Sequence, residues 1–351
     1  MTWDVALILS IDGLASSAIY LLAGLGLVLI FSVTRVIFVP FGDIAAFSAL
    51  TLAAFEAKKV PATIGLVGTL AALAVAAETI SLIRQRAFAR LPMAVAGWGV
   101  APGIACALAW WAAGRDLSMP FAIGLTILLA MPMAPLVARL ALKPIADASV
   151  LVLLIASLVL HFLLSGLGLL FFGPEGVRTQ PLLGGSIAIT DNFSVGLQVV
   201  LMVGAAAALS ALFFLAFERT LAGKALRATA VNRVGARLVG IRPARTSLLA
   251  YGAASLLAGF VGVLISPVTT IYYDSGLLIG LKAFVAAIIG GLTSYPLTAL
   301  GALAVGLVES FASFWSGALK DVIVFSLLIP VLILRSALSA HAEEEPEEIP
   351  S

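Results

Sequence analysis

The sequence is poor in the side chains that most metal and redox sites use. Its 351 residues include two histidines, one cysteine and 11% charged residues. It contains no HExxH run and no Cys/His cluster, so the common signatures of a zinc centre are missing. The single cysteine, Cys106, cannot form an internal disulfide. We therefore expect no metal and no structural disulfide.

A phosphate-binding loop is also missing. The one Gly-Lys pair, Gly223-Lys224, is followed by alanine and lacks the upstream glycine of a P-loop. Pairs of ionisable residues, which intramembrane enzymes commonly use, are sparse in the apolar parts of the chain. The sequence therefore predicts a protein without a cofactor that is not an enzyme, and transport is the leading class.

Apolar residues are abundant instead. They make up 62% of the chain, whereas the charged fraction is less than half of the roughly 25% that is usual in soluble domains. A bilayer core about 30 Å thick requires about 20 apolar residues per helix, and such runs follow one another along the sequence. We predict an all-α, polytopic integral membrane protein with about nine or ten hydrophobic helices, some of them broken or re-entrant.

The apolar runs give an approximate order of segments. We expect them at residues 14–33, 36–55, 62–83, 93–113, 121–140, 149–172, 193–217, 247–266, 278–314 and 319–334. Together they predict one transmembrane domain over residues 1–338, followed by an acidic, disordered tail at 339–351.

Two of these segments are interrupted. The segment 36–55 contains Pro40, Gly42 and Asp43 near its start, and the segment 278–314 is too long for one helix. Two distant segments that Gly and Pro interrupt are typical of a substrate pathway lined by exposed backbone. The predicted pathway residues are Gly42, Asp43, Lys282, Gly290, Gly291, Ser294, Tyr295 and Pro296.

For the charged residues among the predicted pathway residues, a less specific interpretation stays open. Asp43 and Lys282 could lie near the membrane interfaces, with the Lys282 ammonium group reaching the lipid headgroups. We expect His161 to be a packed residue that is hydrogen-bonded to a neighbouring helix rather than a proton relay.

Lysine and arginine clusters set the predicted orientation. Clusters at 84–90, 139–143 and 219–245 are separated by even numbers of spans, so all three face the cytoplasm. The loop 173–192 then faces outward. Lys58 and Lys59 also fall outside, against the usual trend.

The segment 218–246 is the most basic part of the chain. It carries seven of the 20 Lys and Arg residues and one acid, Glu218. Residues 224–239 favour one short helix, because Leu226, Ala230, Val234 and Leu238 recur at every fourth position. Gly240 is the expected C-cap, and Pro243 prevents continuation. Such a helix either lies on lipid headgroups or docks into a groove of a soluble partner.

Several runs together carry a family resemblance. GKALRATAVNRVGARLVGI (223–241), GLKAFVAAIIGGLTSYPLTALGALAVGLVES (280–310) and LKDVIVFSLLIPVLIL (319–334) resemble the carboxy-terminal half of permeases of branched-chain amino acid ABC transporters. The run YLLAGLGLVLIFSVTRVIFVPFGDIAAF (20–47) is similar to that family's first spans.

The resemblance implies a subunit of the bacterial inner membrane with several partners. These are a second, related permease, cytoplasmic ATP-binding subunits, an extracytoplasmic substrate-binding protein and membrane lipid, but no nucleic acid. Branched-chain amino acids are the first expected substrate, with other amino acids, amides and small carboxylates as alternatives. The resemblance also implies that the segment 218–246 couples the permease to the ATPase. Its expected coupling residues are Gly223, Lys224, Arg227, Asn232, Arg233, Arg237 and Gly240.

The chain departs from the family in two places. The family commonly has an Asn-Phe-Ala-His-Gly-Glu-like run where residues 38–43 read FVPFGD, so an amide and an imidazole are replaced by apolar groups. Residues 61–115 resemble an insertion of about two extra hydrophobic segments.

Two other classes stay open from the sequence. An ion-coupled secondary transporter of a small polar solute would need acidic residues in the membrane, for which Asp43 and Glu309 are the candidates. A purely structural membrane protein would need no pathway.

Overall fold

The computed structural model describes residues 3–86, 88–190 and 193–333. Within these residues eight helices or joined helices are long and apolar enough to cross a membrane. This confirms the prediction of an all-α, polytopic membrane protein. The eight spans are Trp3–Thr34, Thr63–Arg84, Leu91–Ala112, Met119–Ile145, Val150–Phe172, Leu197–Arg219, Pro243–Ile265 and Tyr295–Trp315.

The elements follow one another with short connections. The first eight helices are α1 (Trp3–Thr34), α2 (Phe41–Glu56), α3 (Thr63–Arg84), α4 (Leu91–Val95), α5 (Ala101–Ala112), α6 (Met119–Ala130), α7 (Met133–Val137) and α8 (Val150–Phe172). The remaining seven are α9 (Leu197–Arg219), α10 (Leu221–Val231), α11 (Arg233–Leu238), α12 (Pro243–Ile265), α13 (Gly276–Ile289), α14 (Tyr295–Trp315) and α15 (Lys320–Ser326). Short π-helical turns at Ala96–Val100 and Ala138–Leu142 continue α4 into α5 and extend α7.

Both predicted helix breaks are present. Pro40 directly precedes α2, and the long apolar segment divides into α13 and α14. Gly291 and Leu292 adopt left-handed backbone angles in the turn, with φ of 69° and 60°. The Ser294 hydroxyl then accepts a hydrogen bond from the Leu297 N–H at 3.4 Å, which caps α14. One backbone N–H group that lacks a partner within the first turn of α14 therefore finds its acceptor in the turn between α13 and α14.

α1 lies at the centre of the bundle. It packs along α14 and also contacts α9, α12 and α13, and most of its second half is buried. Glycines allow close approach: a Cβ on Gly306 of α14 would overlap Ser17, and one on Gly262 of α12 would overlap the Ala45 carbonyl of α2. Small residues at helix contacts are the usual means of close packing in membranes.

The loop between α8 and α9 contains structure that the sequence did not suggest. A hairpin of β1 (Ser186–Thr190) and β2 (Phe193–Gly196) precedes α9, so the helix begins at Leu197 and not at residue 193. Val177 pairs with Ile271, which ties this loop to the connection between α12 and α13.

Ion pairs and hydrogen bonds show which loops share an end of the bundle. Lys58 Nζ lies 2.5 Å from Asp116 Oδ1, and the Gln180 N–H donates to Glu56 at 3.2 Å, so the predicted outer loops meet at one end. Arg139 pairs with Glu78 at the other end. The pairing with Asp116 balances the positive charge of Lys58, which was out of keeping with an outer loop.

Candidate functional site

The first turns of two short helices meet inside the membrane. α2 has 16 residues and α13 has 14, so they are about 24 Å and 21 Å long, less than the bilayer core. α2 ends beside the outer loops, which places its first turn at membrane depth. A Cβ on Gly42 would overlap the Gly276 carbonyl, and one on Gly276 would overlap Asp43. The two backbones touch because both positions are glycine.

The chain that precedes α2 is non-helical and buried. Val36 and Phe38 are both buried, and the Val39 N–H donates to the Ser157 hydroxyl of α8 at 2.9 Å. Irregular backbone at membrane depth is stable only where other groups satisfy its polar atoms. α8 therefore holds this segment in place.

Asp43 is fully buried and is paired with a histidine. The Nδ1 atom of His161 lies 2.9 Å from each oxygen of the Asp43 carboxylate. This confirms that His161 is a packed residue with a partner on a neighbouring helix, and it shows that the Asp43 carboxylate has a partner inside the bundle. An imidazole is thus present beside residues 38–43, but α8 supplies it.

Lys282 belongs to a separate, buried ion cluster. Its ammonium nitrogen lies 2.5 Å from Glu309 and 2.8 Å from Asp321, and the Tyr20 hydroxyl donates to Glu309 at 2.5 Å. The interpretation of Lys282 as a residue that reaches the headgroups is therefore wrong. The cluster joins α1, α13, α14 and α15, and we interpret it as a structural contact of the bundle.

The remaining predicted pathway residues lie at the opposite end of α13. Gly290, Gly291, Ser294 and Pro296 form the turn and the start of α14, about 21 Å along the helix from Gly276. The ring of Tyr295 packs against Phe213 and Phe217 of α9, with centroid distances of 6.3 and 5.8 Å. The structure therefore does not bring this group together with Gly42 and Asp43.

Three residues at the meeting point were not among the sequence candidates. They are Gly276 and Gly280 of α13 and Ser157 of α8. The Gly276-x3-Gly280 spacing is a signal for close helix contact that could have identified the first two. No sequence pattern points to Ser157, because its hydrogen-bond partner Val39 is 118 residues away in the chain.

The basic segment forms two helices, so the prediction of one helix over 224–239 is wrong. Asn232 is extended, with φ −151° and ψ 106°, and its side-chain oxygen accepts the N–H groups of Val234 and Gly235 at 2.9 and 2.8 Å. It ends α10 and caps α11. Gly240 has φ 83°, as expected of a residue after a helix end, whereas Pro243 begins α12.

The apolar side chains predicted to form one face of this segment are split between a buried and an exposed group. Leu226 is buried with Leu29, Val33, Phe217 and Ala250, which fixes α10 to α1, α9 and α12. Other apolar side chains of the segment are 66–86% exposed, and we call them the docking patch. The docking patch consists of Leu221, Val231, Val234, Leu238 and Val239.

The predicted coupling residues have different local roles. The Gly223 N–H donates to Thr220 at 3.0 Å, and Arg227 pairs with Glu218 at 2.7 Å. Lys224 is exposed. Arg233 and Arg237 line a cavity of about 280 Å³ between α11, α12 and the end of α7.

Comparison with known proteins identifies the family of the chain. The family model for the permease component of the branched-chain amino acid transport system matches residues 9–332. The chain belongs to this family. The match extends from α1 to the end of the described residues, so the permease lies in the inner membrane as a multi-pass protein, as predicted.

Individual permeases are similar at moderate identity. The high-affinity branched-chain amino acid permease protein LivH of Escherichia coli K12 is 30% identical over 204 residues, which cover 56% of this chain and 66% of the relative. BraD of Pseudomonas aeruginosa is 29% identical over 204 residues, with the same coverage. A probable LivH of Methanocaldococcus jannaschii is 28% identical over 214 residues, 58% of this chain and 67% of the relative. The alignments with LivH of E. coli and BraD thus cover slightly less than two thirds of those proteins, and no solved structure matches.

The predictions for residues 61–115 and for the tail stay predictions. The hydrophobic elements α3 to α5 fill residues 61–115, and their status as an insertion relative to the family is not tested by these matches. The acidic tail at 339–351 and His341 lie outside the described residues.

Proposed function

We propose that the chain is the membrane-spanning permease subunit of an ABC importer, and that its solute pathway passes the meeting point of α2 and α13. The observation that carries this proposal is the convergence of two short-helix N-termini at membrane depth, beside a buried carboxylate. Branched-chain amino acids are the proposed substrates. Other amino acids, amides and small carboxylates are the alternatives.

The chemistry of the meeting point suits a zwitterionic amino acid. The helix dipole makes a helix N-terminus favourable for a carboxylate. The Asp43 carboxylate could then pair with the ammonium group of the solute. In the present arrangement Gly42 and Gly276 are in contact, so passage requires α2 and α13 to separate.

The docking patch supports coupling to an ATPase. Exposed leucine and valine side chains on a cytoplasmic loop favour contact with another protein. Leu226 anchors α10 to α1, α9 and α12, and α1 and α12 in turn contact α13 and α2. A force on the docking patch would thus reach both helices at the meeting point. ATP-dependent movement shifts the permease only by the difference in contacts that the ATPase makes with the two states.

Reconstitution in proteoliposomes tests the proposal against an ion-coupled carrier. The chain is assembled with the second permease, the ATP-binding subunits and the binding protein, and uptake of radiolabelled leucine is followed. The proposal expects accumulation that needs both internal ATP and the ATP-binding subunits. Accumulation by the chain alone under an ion gradient would contradict it.

A further inference from the structure

A cavity of about 280 Å³ lies at the cytoplasmic end of the bundle, apart from the meeting point of α2 and α13. It opens between the end of α1, the turn that follows α7, α11 and the start of α12. The Tyr251 ring lines it and packs edge-on against the buried Phe38 at 5.3 Å. Phe38 follows the lining residue Val36 in the non-helical segment that precedes α2.

Four cations line this cavity against one acid. Arg139, Lys143, Arg233 and Arg237 contribute the positive charges, and Asp147 is the acid. Arg139 is already paired with Glu78. Within the described parts of the chain, the other three cations form no ion pair. The cavity therefore has an excess of positive charge that no side chain of the described residues balances.

One donor in the cavity has no acceptor. The Nε atom of Arg233 is buried and has no hydrogen-bond partner among the residues that the structure describes. A buried charged donor without a partner costs free energy, which an anion of suitable geometry would recover. Arginine commonly binds phosphate oxygens through paired N–H groups.

Apolar side chains form most of the rest of the lining, together with Thr34, Ser247 and Tyr251. Trp98, Leu142 and Leu248 lie beside the cations, and Leu248 is 41% exposed on the outer surface of the bundle. Apolar walls next to a basic cluster match a headgroup with its glycerol and upper acyl region. The cytoplasmic leaflet also carries the anionic lipids that basic sites between helices bind.

We propose that this cavity binds a phosphate group, whose source in the membrane is an anionic phospholipid. Arg233 and Arg237 of α11 and Lys143 of the turn after α7 hold the phosphate, and Trp98 and Leu248 contact the apolar part. A bound phosphate would join α11 to the end of α7, two elements that otherwise carry repelling charges. The site is independent of ATP and of the solute.

Native mass spectrometry of the chain purified in neutral detergent tests the proposal. Phosphatidylglycerol is titrated into the wild type, a Lys143→Gln/Arg233→Gln variant and an Arg219→Gln/Arg245→Gln variant. The control removes the same charge from exposed positions that do not line the cavity. We expect the first variant to bind about tenfold more weakly or worse, since each cation near a lipid surface contributes about 1 kcal/mol. The control should stay within about twofold of the wild type.

Competitors identify the source of the phosphate. Displacement of phosphatidylglycerol by millimolar inorganic phosphate would support a binding site for the phosphate group. Binding of inorganic phosphate without binding of phosphatidylglycerol would assign the site to the free ion. Equal losses in both variants, or phosphatidylcholine binding as tightly as phosphatidylglycerol, would overturn the proposal. Displacement by leucine would overturn it too, because the cavity would then belong to the solute pathway. Arg237→Gln alone, at an exposed position, provides a milder variant if the double variant does not fold.

Discussion

At the scale of single residues, ionisable side chains inside the bundle are paired with one another. Asp43 pairs with His161, and Lys282 pairs with Glu309 and Asp321. Asp43 and His161 could each be singled out from the sequence, because ionisable residues in apolar segments are costly and need partners. Their pairing could not be predicted, since 118 residues separate them and no local pattern links α2 to α8. The same applies to Lys282 and Asp321, whose contact depends on how α13 and α15 pack.

The Lys282 cluster makes a prediction about stability. Lys282→Met would leave the largely buried Glu309 and the half-buried Asp321 without their cation. Breaking a fully buried pair costs about 3–5 kcal/mol, and the partial exposure of Asp321 makes the expected loss smaller than that. We expect a clearly lower midpoint of thermal unfolding in detergent. Lys59→Met, at an exposed lysine, is the control and should unfold like the wild type. If both variants melted together, the ion cluster would contribute little to stability.

At the scale of elements, the helix breaks were predictable but their contacts were not. Pro40 and the Gly290-Gly291 pair act through local backbone chemistry, which the sequence displays directly. The division of the basic segment was missed because its four-residue apolar period continues across Asn232. The side-chain cap of Asn232 outweighs that pattern.

The contact of α2 with α13 predicts a strong dependence on Gly42. Gly42→Ala would place a methyl group against the Gly276 carbonyl, so the two helices must separate. We expect destabilisation of about 1–3 kcal/mol, as for other overpacked sites, together with altered uptake. Gly124→Ala is the matched control, because a Cβ there meets nothing within 4 Å in a helix. The helix propensity of alanine should make that control slightly more stable in thermal unfolding. Equal behaviour of the two variants would argue against a close contact of α2 with α13.

Charged substitutions in the docking patch should reduce the amount of ATP-binding subunits that co-purify with the chain. Val234→Asp and Leu238→Asp place charges on exposed apolar positions and should reduce co-purification of the ATPase several-fold without lowering the melting midpoint of the chain. Arg245→Gln changes an exposed position of the same basic segment, at the start of α12 and outside the patch, and serves as the control. Unchanged co-purification of both aspartate variants would remove the patch from the coupling surface.

At the scale of the whole molecule, composition and charge distribution predicted the class and sidedness. The short runs at 223–241 and 280–310 predicted the family, and the family match confirms it. What the sequence left open was which breaks meet in space, because inter-helix packing is decided by many small contacts.

Sidedness can be measured with membrane-impermeant thiol reagents. In a Cys106→Ala background, Lys59→Cys should react in intact spheroplasts, whereas Lys224→Cys should react only after the membrane is permeabilised. Cys106 is partly buried and its replacement by alanine retains a small apolar side chain. The reverse pattern of labelling would invert the orientation and move the docking patch to the outside.

In the proposed pathway the solute passes Asp43 where α2 meets α13. Its most direct test is the initial rate of ATP-driven leucine uptake into proteoliposomes that hold equal amounts of assembled complex with Asp43→Asn or the wild type. Asp116→Asn, at an exposed acid outside the bundle, is the control. We expect Asp43→Asn to lower uptake more than tenfold while the control retains it, because one charge-assisted contact to the ammonium group contributes about 1.5–3 kcal/mol. Uptake by Asp43→Asn at the wild-type rate would contradict the account.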